Sequence, residues 1–123
     1  MVPHNVAFFL RNNIMKRYEM IKSHDEFNEI IHKGNKISNK YFVIFEVEQS
    51  NKKPRFGIAV GKKMGNAVVR NKIKRQMRMI IDNNRNLFKN FHNYIIMVKR
   101  ECLEINFFDL EKEFIKTLGK EIK

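Results

Sequence analysis

Residues 62–78, KKMGNAVVRNKIKRQMR, form the stretch from which the rest of the chain is best interpreted. They include seven of the protein's 25 Lys and Arg residues and no acidic residue. The wider window of residues 49–81 contains ten basic residues, again without Asp or Glu. Because like charges at this density repel one another, the stretch indicates a polyanionic partner.

The same stretch predicts an amphipathic helix that begins near Ala67, with Asn66 as its N-cap, and ends within residues 82–84. At about 100° per residue, one side is apolar: Val69, Ile73, Met77 and Ile80. The opposite side is cationic with one amide: Arg70, Asn71, Lys74, Arg75 and Arg78. An ordinary solvated helix usually mixes Glu with Lys, and this side has no Glu. The pattern favours a helix that packs on a core by one face and binds nucleic acid by the other.

Length and composition favour one small globular domain with a nucleic-acid partner. The chain has 123 residues, a formal charge of +12 and a pI near 10.0, and its eleven Phe residues can build a core. We expect an N-terminal extension over residues 1–17 and a single domain over residues 18–123. Met15 could be the translation start. The lone Cys102 cannot form an internal disulfide, which favours the reducing cytoplasm. No apolar run approaches the roughly 18 residues of a membrane span.

Helices and strands alternate along the domain. Ser23 and Glu26 form a capping box before a helix that presents Phe27, Ile30 and Ile31 on one face and ends at Gly34. Apolar runs predict strands at residues 41–47, 55–61 and 94–98, and Asn106 can cap a final helix. The short polar loop between the first two strands implies an antiparallel hairpin. The basic helix between the last two strands makes a crossover, so the sheet should be mixed.

Two features of the first strands predict a groove. Tyr41, Val43, Phe45 and Val47 alternate onto one face of their strand, and Gly57, Ala59 and Gly61 leave room on the next strand. Beyond the groove, Leu87, Phe88 and Phe91 are expected to pack the polar segment of residues 83–93 against the core.

No constellation of catalytic residues is apparent. The four His residues are scattered, and no Cys or His pair has metal-ligand spacing. Glu46 and Glu48 share one strand face and could hold a hydrated Mg²⁺, although a solvated sheet edge explains them more simply. We therefore expect no catalytic residue, no metal site and no protein-bound cofactor.

The motif RNKIKR at residues 70–75, preceded by KKMGNAV at residues 62–68, resembles the signature of the bacterial ribonuclease P protein subunit, K-K-x-G-x-A-V-x-R-N-R-x-K-R-x-x-R. The resemblance extends over about residues 17–120. It implies an α/β sandwich (α+β) around a central mixed four-stranded sheet, in the order α-β-β-β-α-β-α, with a left-handed crossover.

The resemblance also implies a function. Such a protein assists RNA-catalysed, Mg²⁺-dependent removal of the 5′ leader from precursor tRNA, as a 1:1 ribonucleoprotein with the catalytic RNA. It implies two sets of contact residues. The catalytic RNA would meet Lys62, Lys63, Arg70, Asn71, Lys72, Lys74, Arg75 and Arg78. The leader would lie in a cleft formed by Phe27, Val43, Phe45 and Ala59.

The chain departs from the family pattern at several contact positions. Lys72 occupies a position where the family pattern has arginine, and a lysine cannot bind phosphate in the bidentate geometry of a guanidinium group. Ile31 replaces a cleft aromatic, Phe45 replaces a tyrosine, and Ala59 and Gly61 replace small hydroxyl residues. An Arg-x-Arg before the first helix is Tyr18-Glu19-Met20 here. Composition alone leaves two alternatives: a structural RNA-binding protein of ribosomal or RNA-chaperone type, and, less favoured, a stand-alone nuclease.

Overall fold

The computed structural model describes residues 20, 21 and 23–119 and shows three α-helices around a four-stranded sheet. The predicted extension over residues 1–17, with Met15, lies outside the described residues. The elements, in chain order, are α1 (His24–Lys33), β1 (Asn35–Ser38), β2 (Phe42–Glu48), β3 (Arg55–Val60), α2 (Ala67–Asn83), β4 (His92–Val98) and α3 (Phe107–Gly119). The predicted element order and the mixed sheet are confirmed.

The order of strands in the sheet is β1-β2-β4-β3. β2 pairs with β4 in antiparallel orientation, and β3 pairs with β4 in parallel orientation. The predicted hairpin is therefore wrong, because β4 lies between β2 and β3 although the two flanking strands do run in opposite directions. The physical reason is the apolar character of β4: Tyr94, Ile95 and Ile96 are all buried, which only a central strand allows.

The sheet carries a core on each face. The larger core joins α2 and α3 to one face, through Ile73, Met77, Phe114 and their neighbours, with Phe42, Phe56 and Tyr94 on the strands. The smaller core joins α1 to the other face, where Ile30 packs with Phe45 and Ile95. Since successive side chains of a strand alternate between faces, α1 and α2 lie on opposite sides of the sheet.

Three helix starts follow their predicted caps. Asn66 Oδ1 accepts the backbone N–H of Val69 at 3.0 Å, and Asn106 Oδ1 accepts that of Asp109 at 2.9 Å. Ser23 Oγ accepts the N–H of Glu26 at a longer 3.4 Å. Each cap satisfies one of the amide groups that a helix leaves unpaired at its start. These local signals explain why the helix bounds were predictable.

Two packing predictions were wrong. Tyr41 packs against the larger core rather than lining the groove, because β2 begins only at Phe42 and the alternation does not reach Tyr41. Phe91 does not pack the loop down, since its side chain is 50% exposed, whereas Phe88 is buried as expected.

Candidate nucleic-acid interface

The cationic surface is organised by the turn that precedes α2. Lys62–Met64 forms one 3-10 turn after β3, and Gly65 then adopts a φ of 144°, a conformation that residues with a side chain rarely reach. Met64 is buried in the larger core, so the turn is fixed. Lys62 and Lys63 are exposed beside it. The turn thus places two cations just before the start of the basic helix.

Exposure divides the predicted RNA-contacting residues of α2 into two rows. One row is half-buried along the flank of the helix: Arg70, Lys74 and Arg78. The other row is exposed: Asn71, Lys72 and Arg75. Within the described part of the chain, none of the cations in residues 62–78 makes an ion pair with a carboxylate. The surface is therefore a dense field of positive charge without internal neutralisation.

Two guanidinium groups in the half-buried row are incompletely hydrogen-bonded. The Nε atoms of Arg70 and Arg78 are buried and have no hydrogen-bond partner among the described residues. A buried donor without a partner lowers stability unless something satisfies it. Phosphate oxygens are well suited to this role because arginine binds them in planar, charge-assisted geometry.

The exposed side of α2 also contains apolar residues. Val68 is 76% exposed and Met79 is 37% exposed, and both lie among the cations. The sequence interpretation did not include either residue in the interface, although both fall on its side of the helix. An RNA surface offers sugars and base faces as well as phosphates, and these two side chains can contact them.

Strand register defines a groove on the α1 face. One row across the sheet consists of Lys36, Phe45, Ile95 and Gly57, and α1 covers its last three residues. The next row consists of Ser38, Val43, Met97 and Ala59. Met97 belongs to the central strand and is nevertheless 37% exposed, so this second row is open. The open row beside α1 is the groove.

The four residues predicted for the leader cleft lie on this one face but do not have equal access. Phe27 and Val43 are half-buried members of the smaller core, and Ala59 is half-buried in the open row. Phe45 is buried, so it supports the groove from within rather than lining it. Met97 was missed by the sequence interpretation, because a continuous apolar run gives no sign of which residue its neighbours leave uncovered.

The acidic residues of this face lie across the covered row from the groove. Where β2 ends and β4 begins, an open cavity of about 160 Å³ is lined by Glu26, Glu29 and Glu48. The open row instead lies near the carboxyl end of β3, and the chain continues from there to Lys62 and Lys63. Glu26 is held by Arg55 Nη1 at 2.8 Å, which ties α1 to the start of β3.

The carboxylate considered for Mg²⁺ has other partners. Glu46 is buried, and its Oε1 lies 3.5 Å from Lys89 Nζ and 3.6 Å from His92 Nε2. The solvated-edge interpretation is wrong for Glu46, because Glu46 is buried and β2 has neighbouring strands on both sides. Within residues 20–119 as described, no three His, Cys, Asp or Glu side chains are grouped to hold a metal ion.

These features define a small basic α+β protein with a cationic helix on one face of its sheet and an apolar groove on the other. A sequence profile of the ribonuclease P family matches residues 15–121. The ribonuclease P protein component of Mycoplasma mycoides subsp. mycoides is 43% identical over 110 residues, covering 89% of this chain and all 100% of that protein. The chain therefore belongs to the bacterial ribonuclease P protein family.

Solved structures agree with this assignment. The RNase P protein of Staphylococcus aureus superposes with a TM-score of 0.78 at 27% identity, covering 84% of this chain and 94% of that one. The RNase P protein of Thermotoga maritima has the same fold, with a TM-score of 0.74 over 82% of this chain and 96% of that one at 24% identity. No helix of the described residues is long and apolar enough to cross a membrane.

Proposed function

We propose that this chain is the protein subunit of a cytoplasmic ribonuclease P and forms a 1:1 complex with the catalytic RNA. In that role it is the accessory subunit of an endonuclease and contributes no catalytic residue. The RNA, with Mg²⁺, removes the 5′ leader of precursor tRNA. The observation that carries the proposal is the unneutralised cationic face of α2 in a member of this family.

The RNA subunit binds along α2 and the turn before it. Arg70, Arg75 and Arg78 offer planar guanidinium groups, and Lys72 and Lys74 add point charges. Each phosphate that a cation contacts releases a condensed counterion, so binding weakens steeply as salt is added. The same cations lower the repulsion between two RNA chains, and this reduces the Mg²⁺ concentration that the complex needs.

The leader binds in the groove on the opposite face of the sheet. Val43, Met97 and Ala59 offer an apolar floor, and Phe27 can stack on a base at the wall. The carboxylates of Glu29 and Glu48 lie across the covered row from the groove and repel phosphates from that side of the sheet. The leader therefore runs along the open row, towards Lys62 and Lys63. Few polar side chains line this path, which favours shape and stacking over recognition of particular base edges.

Reconstitution tests the proposal. The purified chain is mixed with a bacterial ribonuclease P RNA and precursor tRNA, and cleavage is followed at limiting and at saturating Mg²⁺. We expect strong stimulation at limiting Mg²⁺ and little at saturating Mg²⁺. A structural RNA-binding protein of ribosomal type would bind RNA without stimulating cleavage, and a stand-alone nuclease would cleave without the RNA subunit. Either result would overturn the proposal.

A further inference from the structure

Phe91 is an outlier in both backbone conformation and exposure. Its φ is 62°, and among the described residues it is the one non-glycine residue with positive φ. A bulky side chain in this left-handed region is disfavoured sterically. Its ring is nevertheless half exposed to solvent, so core packing does not compensate for the conformation.

The loop that carries Phe91 is held from two directions. On the side of the 49–52 segment, the N–H of Phe91 donates to the carbonyl oxygen of Lys52 at 3.0 Å, and the carbonyl oxygen of Phe91 accepts the N–H of Gln49 at 2.8 Å. Both backbone groups of Phe91 are thus fixed to a neighbouring loop.

On the side of the sheet, polar contacts hold the residues around Phe91. The N–H of Lys89 donates to the Tyr94 hydroxyl oxygen at 2.8 Å, and His92 Nδ1 donates to the Asn90 carbonyl oxygen at 2.8 Å. The buried carboxylate of Glu46 faces both Lys89 Nζ and His92 Nε2. Strained residues persist where their surroundings over-determine them, and such residues concentrate at functional sites.

The loop that is hydrogen-bonded to Phe91 carries two exposed cations. Lys52 and Lys53 are exposed in that loop, and one exposed carboxylate, Glu48, precedes Gln49 at the end of β2. Phe108 offers a contrast: it is 73% exposed, but it lies on α3 beside Asp109 and Glu111. An exposed aromatic ring among lysines is the arrangement that binds single-stranded nucleic acid, by base stacking and backbone electrostatics.

We propose that Phe91 is a base-stacking site for an unpaired nucleotide, with Lys52 binding the adjacent phosphate. The site is separate from α2 and from the groove, and its rigid loop presents the ring before RNA arrives. The inference rests on the proposed function for the presence of RNA. The nucleotide belongs either to the RNA subunit or to the precursor tRNA, and the experiment separates these sources.

Tryptophan fluorescence offers a direct test, because the natural chain contains no Trp. Phe91→Trp keeps an aromatic ring at the site, and Phe108→Trp is the matched control on α3. Each variant is titrated first with ribonuclease P RNA, and the resulting holoenzyme is then titrated with precursor or mature tRNA. We expect quenching at position 91 and none at position 108. Quenching in the first titration identifies the RNA subunit, and quenching only by precursor tRNA identifies the leader.

Truncation supplies the energetic test. Phe91→Ala should weaken binding of that same RNA about tenfold, in the lower part of the range for losing one base–aromatic stack, whereas Phe108→Ala should leave binding unchanged. Phe91→Gly suits a positive φ and gives a second variant that lacks the ring without straining the backbone. Wild-type binding to the RNA in parallel establishes the proposed function. If wild type binds while Phe91→Gly binds equally well, or if position 91 shows no quenching, the stacking site is wrong and the proposed function stands.

Discussion

The ring of Phe27 lies directly on the backbone of Gly57: a Cβ at Gly57 would be 2.7 Å from both Cε2 and Cζ of that ring. Any side chain at Gly57 would therefore displace Phe27. This contact packs α1 against β3, and the ion pair between Glu26 and Arg55 joins the same two elements. The position of the groove wall thus depends on the absence of a side chain at Gly57.

Gly57→Ala should disturb leader binding without disturbing assembly with the RNA subunit. The added methyl group overpacks the contact, which costs about 1–3 kcal/mol in the free energy of unfolding, and shifts Phe27 from the groove wall. We expect the preference of the holoenzyme for precursor over mature tRNA to fall several-fold. Equilibrium binding of both tRNAs measures this, with urea unfolding as the measure of stability.

Gly61→Ala is the matched control for this prediction. A Cβ at Gly61 would have no atom within 4 Å, and its backbone has an ordinary φ of −67°. Stability and tRNA preference should both stay at the wild-type level. Equal loss of tRNA preference in the two glycine variants would contradict the role assigned to the Phe27–Gly57 contact.

Replacing Arg70 and Arg78 together by Ala should weaken binding to the RNA subunit and flatten its salt dependence. Each lost phosphate contact reduces the steepness of a plot of log binding constant for the RNA against log salt concentration by about 0.7–0.9. Because neither Nε atom has a hydrogen-bond partner among the described residues, we expect stability to change by less than about 1 kcal/mol. Binding is measured over a series of KCl concentrations.

Lys112→Ala provides a control on α3, where the cation is exposed beside Glu111 and Glu113. It should leave both the affinity and the slope unchanged. If the double arginine variant kept the wild-type slope, or if Lys112→Ala reduced it equally, α2 would not be the specific RNA-binding surface.

The sequence predicted what depends on neighbouring residues in the chain. The bounds of α2 follow from the Asn66 cap and from apolar periodicity, and its cationic face follows from composition. The partner of β3 did not follow, because β4 enters the sheet from a distant part of the chain and takes the position that the hairpin interpretation gave to β2. Local alternation shows which face a residue occupies, but not which strand lies beside it.

The groove and the Phe91 loop show the same limit in the candidate site. Phe27 and Val43 were assigned from the resemblance, and the structure places them on one face. Met97 and Phe91 were not assigned, because an apolar residue is exposed only where other elements stop covering it. That boundary is a property of the assembled fold, so neither side chain is distinguishable in sequence from an ordinary core residue.

Glu46→Gln should destabilise the fold through the Phe91 loop. The substitution removes the negative charge that faces Lys89 and His92 while it preserves the shape of the side chain. Because Glu46 is buried and Lys89 is partly exposed, we expect a loss of about 1–3 kcal/mol. Urea unfolding at neutral pH measures it. Glu48→Gln, on the same strand but exposed, should have little effect. Equal losses in the two variants would show that the Glu46 contacts contribute no specific stability.

Cys102 should make stability fall at high pH. Its thiol is buried and donates to the Tyr41 carbonyl oxygen at 3.1 Å. Burial raises the pKa of the Cys102 thiol from 9.0 to about 11, with a smaller contribution from the charge of Glu101 and an opposing one from a backbone hydrogen bond at Lys99. Between these two values the unfolded chain loses a proton that the folded chain keeps, so the free energy of unfolding decreases as pH rises.

Comparison with Cys102→Ala isolates this effect from the titration of Lys and Tyr. The free energy of unfolding of the wild type, relative to that of the variant, should fall by about 2 kcal/mol between pH 8 and pH 11, because one pKa unit corresponds to about 1.4 kcal/mol. Any cavity left by the Ala side chain adds an offset that does not vary with pH.

The folded thiol should also react at least about 100-fold more slowly with a disulfide reagent at pH 8 than the unfolded thiol does, because the reactive thiolate is scarce. A constant difference in stability across this pH range, together with rapid labelling of the native protein, would mean that Cys102 ionises as freely in the folded chain as in the unfolded one.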